Sequence, residues 1–93
     1  MSTIVLVNVS GPDRAGITRS VTEILGRYGV RVLDIGQAVI HNHLSLGLLI
    51  QIPPESESAP VLKDLLFRTH EMGLQLKFTP ISEDDYELWV NAQ

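Results

Sequence analysis

Cysteine is absent from the 93 residues of this chain. No disulfide, thiolate metal site or cysteine nucleophile is therefore expected, and the absence fits a reducing compartment. Long apolar runs are missing as well, since none reaches the roughly 20 residues that a membrane helix needs. Residues 1–3 lead straight into a short apolar segment, without the basic start and long apolar core of a signal peptide. These absences predict a cytoplasmic protein with no membrane partner.

An excess of basic charge is also lacking. Lys and Arg number 7 against 11 Asp and Glu, which gives a formal net charge of −4, and the basic residues are scattered along the chain. An acidic domain without a basic stripe repels phosphate backbones, so no nucleic-acid partner is expected. The chain is long enough for one domain and too short for two complete cores, and 44% of its residues are hydrophobic.

Apolar periodicity alternates between the strand and helix patterns along the chain. It predicts strands at 4–9, 30–41, 44–52 and 74–81, and helices at 16–28 and 58–73. With right-handed crossovers, this order gives an α+β fold, a ferredoxin-like βαββαβ sandwich with a four-stranded antiparallel sheet and two helices on one face. A short C-terminal helix is expected to follow. We assign residues 1–82 to the domain and residues 83–93 to a helical tail that leads toward a missing following domain.

Local signals refine the ends of these elements. Asn42–His43 is expected to form a tight hairpin turn, Ser58 to cap the second helix, and Ser82 with Asp85 to form a capping box for the last one. The expected buried stripe of the second helix consists of Leu62, Leu65, Leu66, Thr69 and Met72.

Helices on one face of the sheet leave the other face uncovered. Apolar groups such as Leu49 point to that second face. An exposed apolar patch usually marks association. We therefore expect a homodimer, or a tandem partner domain, that covers the open face or pairs an edge strand.

The segment between the first strand and the first helix, residues 11–17, is the most informative part of the sequence. Asp13 offers an acceptor for a ligand amine, and Gly16 lets a ligand approach the start of the helix, where free backbone N–H groups suit a carboxylate. An amino acid needs both features. The alternative is an ordinary capped loop in which Asp13 serves only the helix.

Polar residues interrupt the second strand at positions 34–37. We expect this strand to lie next to the first, so that Asp34 and Gln37 complete the same pocket. The alternative is a bulge at a sheet edge with solvated side chains.

Other combinations of polar residues do not support catalysis. His41 and His43 lack a third metal ligand, and Ser10, Asp13 and a histidine form no credible triad. Arg14 and Asn8 suggest a small acylphosphatase, but the loop between them does not have the form that cradles a phosphate. No catalytic residue is therefore expected.

The loop and its flanks, residues 7–17, resemble the opening motif of ACT domains, which bind amino acids and regulate metabolic enzymes. Residues 33–41, 44–45, 62–67 and 78–82 narrow the resemblance to the N-terminal ACT region of bacterial phosphoserine phosphatases. The resemblance implies that serine or a similar small amino acid binds at a dimer interface. It implies a site in which one subunit contributes Asp13, Arg14, Ala15, Gly16 and Ile17, while a neighbouring strand or the partner chain contributes Asp34, Ile35 and Gln37.

One departure from those phosphatases concerns catalysis. They carry a magnesium-dependent domain with an Asp-x-Asp nucleophile motif, which is absent here. No cofactor is therefore expected in this chain, and magnesium would belong to the missing phosphatase domain. The alternative is a stand-alone ACT protein that regulates amino-acid metabolism through protein contacts.

Overall fold

The computed structural model describes residues 3–54 and 57–91. It confirms the predicted βαββαβ order with a short third helix. The elements are β1 (Thr3–Pro12), α1 (Ile17–Arg27), β2 (Arg31–Ile40), β3 (His43–Ile52), α2 (Ser58–Glu71), β4 (Gln75–Ile81) and α3 (Glu83–Asn91). Residues 92 and 93 of the predicted tail lie outside the described residues.

The core lies between one face of the sheet and the helices α1 and α2. Alternate residues of β1 and β3 point to this face, because side chains on a strand alternate between its two sides. The buried set includes Val5, Val7, Val9, Leu44, Leu46, Leu48, Ile50 and Ile52 from the strands, and Val21, Leu25, Val61 and Leu65 from the helices. The predicted facing of the β3 side chains is therefore confirmed, but Leu49 on the second face is only 8% exposed, so it does not form the exposed apolar patch expected there.

The strand β2 lies at an edge of the sheet. The antiparallel order is β2-β3-β1-β4, so β3 separates β2 from β1, and the expectation that the first two strands are neighbours is wrong. A bulge at Leu33, between Val32 and Asp34, interrupts the pairing of β2 with β3. An edge bulge, which was part of the alternative interpretation of positions 34–37, is therefore present one residue before that segment.

Three local predictions need correction. The hairpin turn is His41–Asn42, since His43 already belongs to β3, and His41 takes up the left-handed conformation with φ of 54°. Ser58 is the first residue of α2 rather than its cap, and no side chain caps this helix. Leu66 is 53% exposed, whereas Val61 is buried.

The Ser82 half of the capping box predicted for α3 is confirmed. The backbone N–H of Asp85 donates to Oγ of Ser82 over 3.1 Å, as the sequence predicts. Leu88 and Val90 of this helix remain exposed.

A hydrogen bond joins the end of α1 to α2, where the Tyr28 hydroxyl donates to the Asp64 carboxylate. This bond, with desolvation and the charge of Asp64 as lesser causes, raises the pKa of Tyr28 above its ordinary value of 10.0. The neutral phenol is thus favoured by folding, so its contribution is complete below pH 10 and is lost as the pH rises through the raised value. We expect Tyr28→Phe to flatten the decline of unfolding free energy above pH 10 in urea titrations. An unchanged decline would contradict this assignment.

Candidate functional site

The loop that joins β1 to α1 delivers an uncapped helix start. Gly16 occupies the N-cap position in a left-handed conformation, with φ of 86°, and no side chain accepts a hydrogen bond from the first turn. The first bond within the helix runs from the Ser20 N–H to the Gly16 carbonyl over 2.9 Å. The N–H groups of residues 17–19 therefore have no intrahelical acceptor, and they are available to an anion.

The charged side chains at this helix start would stabilise a bound anion, but they do not stabilise the helix. The first turn contains Arg19 and no acidic residue, and Arg14 lies just before it. Positive charge at a helix N-terminus works against the helix dipole. Arg19 is balanced in part by Glu23, with 3.1 Å between Nε and Oε1, at an exposed position. The arrangement makes the start of α1 electropositive.

Asp13 does not serve as the cap of α1. Its backbone N–H donates to the Asn42 carbonyl over 2.7 Å, which ties the loop to the turn between β2 and β3. Within the described residues, no side-chain or backbone donor is bonded to the Asp13 carboxylate. Asp13 therefore does not cap the helix, contrary to the expectation for an ordinary capped loop, and its carboxylate is available to a ligand.

A pocket of about 270 Å³ lies between this loop, the start of α1 and the edge of the sheet. Its size suits a metabolite smaller than drug-like ligands. The lining residues are Asp13, Arg14, Gly16, Ile17, Thr18, Arg19, Gln37 and Leu44. A Cβ built on Gly16 would meet no atom within 4 Å, so this residue leaves the entrance open.

The structure brings together five of the eight predicted site residues. Asp13, Arg14, Gly16, Ile17 and Gln37 line the pocket, whereas Ala15 lies exposed in the loop without lining it. Sequence reasoning missed Thr18, Arg19 and Leu44. For Thr18 and Arg19 a signal existed, because both belong to the first helical turn, which faces the same space as the loop.

Asp34 and Ile35 lie apart from this pocket. Gln37 pairs with Leu46, which belongs to the core, and therefore points to the helix side of the sheet, while Asp34 pairs with Leu49 on the opposite face. The Asp34 carboxylate accepts a hydrogen bond from the N–H of Ile35 over 2.9 Å. Ile35 points to the same face as Gln37, two residues before it on the edge strand. It does not line the pocket, and its side chain is 47% exposed.

Two further depressions lie on the open face of the sheet. Gly36 and Gly47 are paired across β2 and β3, and their missing side chains leave a hollow of about 250 Å³ beside Asp34. A larger cleft of about 660 Å³ at the end of the sheet includes His41 and His43. Within residues 3–54 and 57–91, no three His, Cys, Asp or Glu side chains are grouped so that they could hold a metal ion.

The pairing also separates the two residues of the acylphosphatase interpretation. Asn8 pairs with Gly47 and lies on the open face, whereas Arg14 lines the pocket on the helix side. These two side chains therefore cannot contact the same ligand.

The sequence of this chain matches a protein-family model over a range that includes both the fold and the β1–α1 loop. The family model described as ACT domain matches residues 3–79, which includes all four strands in part or in full and both main helices. This chain belongs to the ACT domain family. Within this ACT domain, the matched region includes the whole β1–α1 loop and Gln37.

Two relatives place the ACT domain in different contexts. Phosphoserine phosphatase SerB2 of Mycobacterium tuberculosis is 34% identical over 73 residues, which are 77% of this chain but 18% of that protein. A UPF0237 protein of Methanocaldococcus jannaschii is 30% identical over 73 residues, which are 77% of this chain and 81% of that protein. The ACT domain thus spans about a fifth of the first relative and most of the second.

A solved structure shows the same fold within an enzyme. Formyltetrahydrofolate deformylase from Pseudomonas putida superposes with a TM-score of 0.74 and 15% identity, over 82% of this chain and 28% of that one. At this identity the match establishes the fold alone. In the part of the chain that the structure describes, no helix is long and apolar enough to cross a membrane.

Proposed function

We propose that this ACT domain senses a small amino acid, with serine as the first candidate, and regulates a phosphoserine phosphatase in serine biosynthesis. The observation that carries the proposal is the pocket at the start of α1, which joins an electropositive, uncapped helix start to the unengaged carboxylate of Asp13. The likeness to SerB2 supports the phosphatase context.

The two charges of an amino acid match the two halves of this pocket. The ligand carboxylate binds the free N–H groups of residues 17–19 and the cations Arg14 and Arg19, since a helix start with nearby cations favours anions. The ligand ammonium group binds Asp13 on the loop side. The apolar side chains Ile17 and Leu44 then border the remaining space, which suits a short ligand side chain.

The same proposal includes a homodimer formed through the edge strand β2. Apart from half-buried Leu33, every residue of this strand is exposed, and its helix-side face carries Ile35 and Val39, at 47% and 45% exposure. Unpaired strand edges are ready to pair with another chain. Gln37 lies between these two residues on the same face, so the ligand pocket adjoins the proposed interface.

In this proposal the domain comprises residues 1–82, and α3 leads to a phosphatase domain elsewhere in a cytoplasmic protein. The exposed side chains Leu88 and Val90 of α3 suit contact with such a domain. The chemistry belongs to that domain, together with its magnesium, while this domain supplies the regulatory signal. The second candidate is a stand-alone ACT protein, favoured by the 81% coverage of the UPF0237 relative. The length of the complete gene separates the two.

Calorimetry of the purified domain against serine, glycine and other amino acids tests the ligand. We expect one small amino acid to bind, and Asp13→Asn to weaken it about tenfold or more, because a hydrogen bond to a charged group contributes ~1.5–3 kcal/mol. Asp34→Asn is the matched control, since this carboxylate lies on the other face of the sheet. Equal losses in both variants, or no binding to the unmodified domain, would contradict the proposed site.

A further inference from the structure

The first turn of α1 reaches the edge strand through one side-chain hydrogen bond. Oγ1 of Thr18 lies 3.2 Å from Oε1 of Gln37, and both residues line the pocket described above. Among the described residues, no other side-chain hydrogen bond joins α1 to β2. Thr18 therefore determines which atoms of Gln37 are available to a ligand.

The chemistry of the two groups fixes the direction of this bond. The amide oxygen only accepts hydrogen bonds and the amide nitrogen only donates them, so the Thr18 hydroxyl donates to Oε1. The Nε2 group of Gln37 then retains its donors, and no described residue accepts a bond from it. Arg14, Arg19 and the backbone N–H groups of the helix start are donors as well, and Asp13 is the acidic side chain of the lining.

We propose that Thr18 is a positioning residue that orients the Gln37 amide, so that Nε2 donates to the carboxylate of a bound amino acid. Thr18 thereby strengthens the preference of the pocket for a free carboxylate over an amide or ester. The inference rests on the proposed function, because it assumes that the pocket holds a small amino acid.

Loss of the hydroxyl weakens this preference for a physical reason, although Arg14 and Arg19 still favour a carboxylate. A glutamine amide whose oxygen has no partner turns about its last torsion and presents either oxygen or nitrogen to the pocket. The oxygen repels a carboxylate, but it accepts a hydrogen bond from the NH₂ group of a carboxamide. The variant therefore binds an amino acid more weakly while it binds the corresponding amide about as well as before.

Three variants isolate the hydroxyl of Thr18. Thr18→Val removes it with the same shape, and Thr18→Ser restores it without the methyl group. Thr22→Val is the matched control, because the Thr22 hydroxyl bonds to the backbone carbonyls of Thr18 and Arg19, at 3.0 and 3.1 Å, one turn farther along α1.

Calorimetry with serine and serinamide gives the specificity readout. We expect Thr18→Val to weaken serine binding about three- to tenfold, the range of one lost hydrogen bond, and to change serinamide binding less than twofold. Thr18→Ser and Thr22→Val keep the discrimination of the unmodified domain. A parallel loss for both ligands, or the same loss in Thr18→Ser, would overturn the proposal.

A ligand-free measurement separates this inference from the proposed function. The side-chain NH₂ resonances of Gln37, assigned by their disappearance in Gln37→Glu, are expected to shift toward random-coil positions in Thr18→Val but not in Thr22→Val. If the unmodified domain binds neither compound, the proposed function fails, while this shift still decides whether Thr18 orients Gln37. Resonances unchanged in Thr18→Val would overturn the positioning role whatever the domain binds.

Discussion

Gly11→Ala is expected to lower the free energy of unfolding by roughly 2–4 kcal/mol, a large part of the stability of a small domain. Two costs combine at this residue. Its φ of +148° is strained for any residue with a side chain, and a Cβ would lie 2.8 Å from Cδ2 and 3.3 Å from Cα of Leu74. The Leu74 side chain is flexible, but its backbone just before β4 has little room to move, because Leu74 belongs to the core.

Gly36→Ala is the matched control for this change. Gly36 also lies in a strand, but its φ is not positive and a Cβ there would meet no atom within 4 Å. We expect this variant to be neutral or more stable by up to ~1 kcal/mol, since alanine reduces the entropy of the unfolded chain. Urea midpoints at constant slope measure both effects. Equal changes in the two variants would show that the contact with Leu74 is not the cause.

The contrast assigns different roles to the two glycines of the β1–α1 motif. Gly11 permits the close approach of β1 to the turn before β4, and so acts on the fold. Gly16 borders open space and allows the left-handed turn that starts α1 beside the pocket. One motif therefore combines a packing requirement with a feature of the candidate site.

The parts of the fold that depend on local periodicity could be predicted from the sequence. The alternation in β3 is clear because the residues of its main core cluster lie on one face of an interior strand, although Leu49 on the other face is buried as well. In β2 the apolar residues are as frequent, but the strand lies at the edge and they are exposed, apart from half-buried Leu33. Strand order is a property of the whole chain, so no pattern within residues 31–40 distinguishes an edge from an interior position.

The lining of the candidate pocket could be predicted only in part. Ala15, although local, lies outside it, Thr18 and Arg19 were not expected although they directly follow the loop, and Gln37 was expected from a distant strand. Residues 13–17 follow one another, so their proximity is given by the sequence itself. Asp34 and Gln37 are three residues apart on one strand, which already places them on opposite faces, and this available signal was overlooked. Gly16, rather than Asp13, became the N-cap because the chain turns there through a positive φ that glycine adopts without strain.

Val39→Lys is expected to convert the proposed dimer into a monomer. In the free chain Val39 is already 45% exposed on the edge strand, so lysine leaves folding nearly unchanged. When two β2 strands pair, the same position becomes covered. A lysine ammonium group there would have to be desolvated, which opposes pairing. Lysine on an edge strand is also a common protection against pairing. Light scattering at micromolar concentration should change from twice the chain mass of 10.3 kDa to that mass.

Leu66→Lys provides the control, because Leu66 is similarly exposed, at 53%, but lies on α2 away from the edge strand. This variant should remain dimeric. A dimer that persists in Val39→Lys would move the interface to another surface, such as the open face of the sheet, and an unmodified chain that is monomeric would refute the dimer.

Gln37 lies two residues from Val39 on the same face, so the ligand pocket borders the pairing edge. Amino-acid affinity should therefore fall in Val39→Lys but not in Leu66→Lys if binding and assembly are coupled through β2.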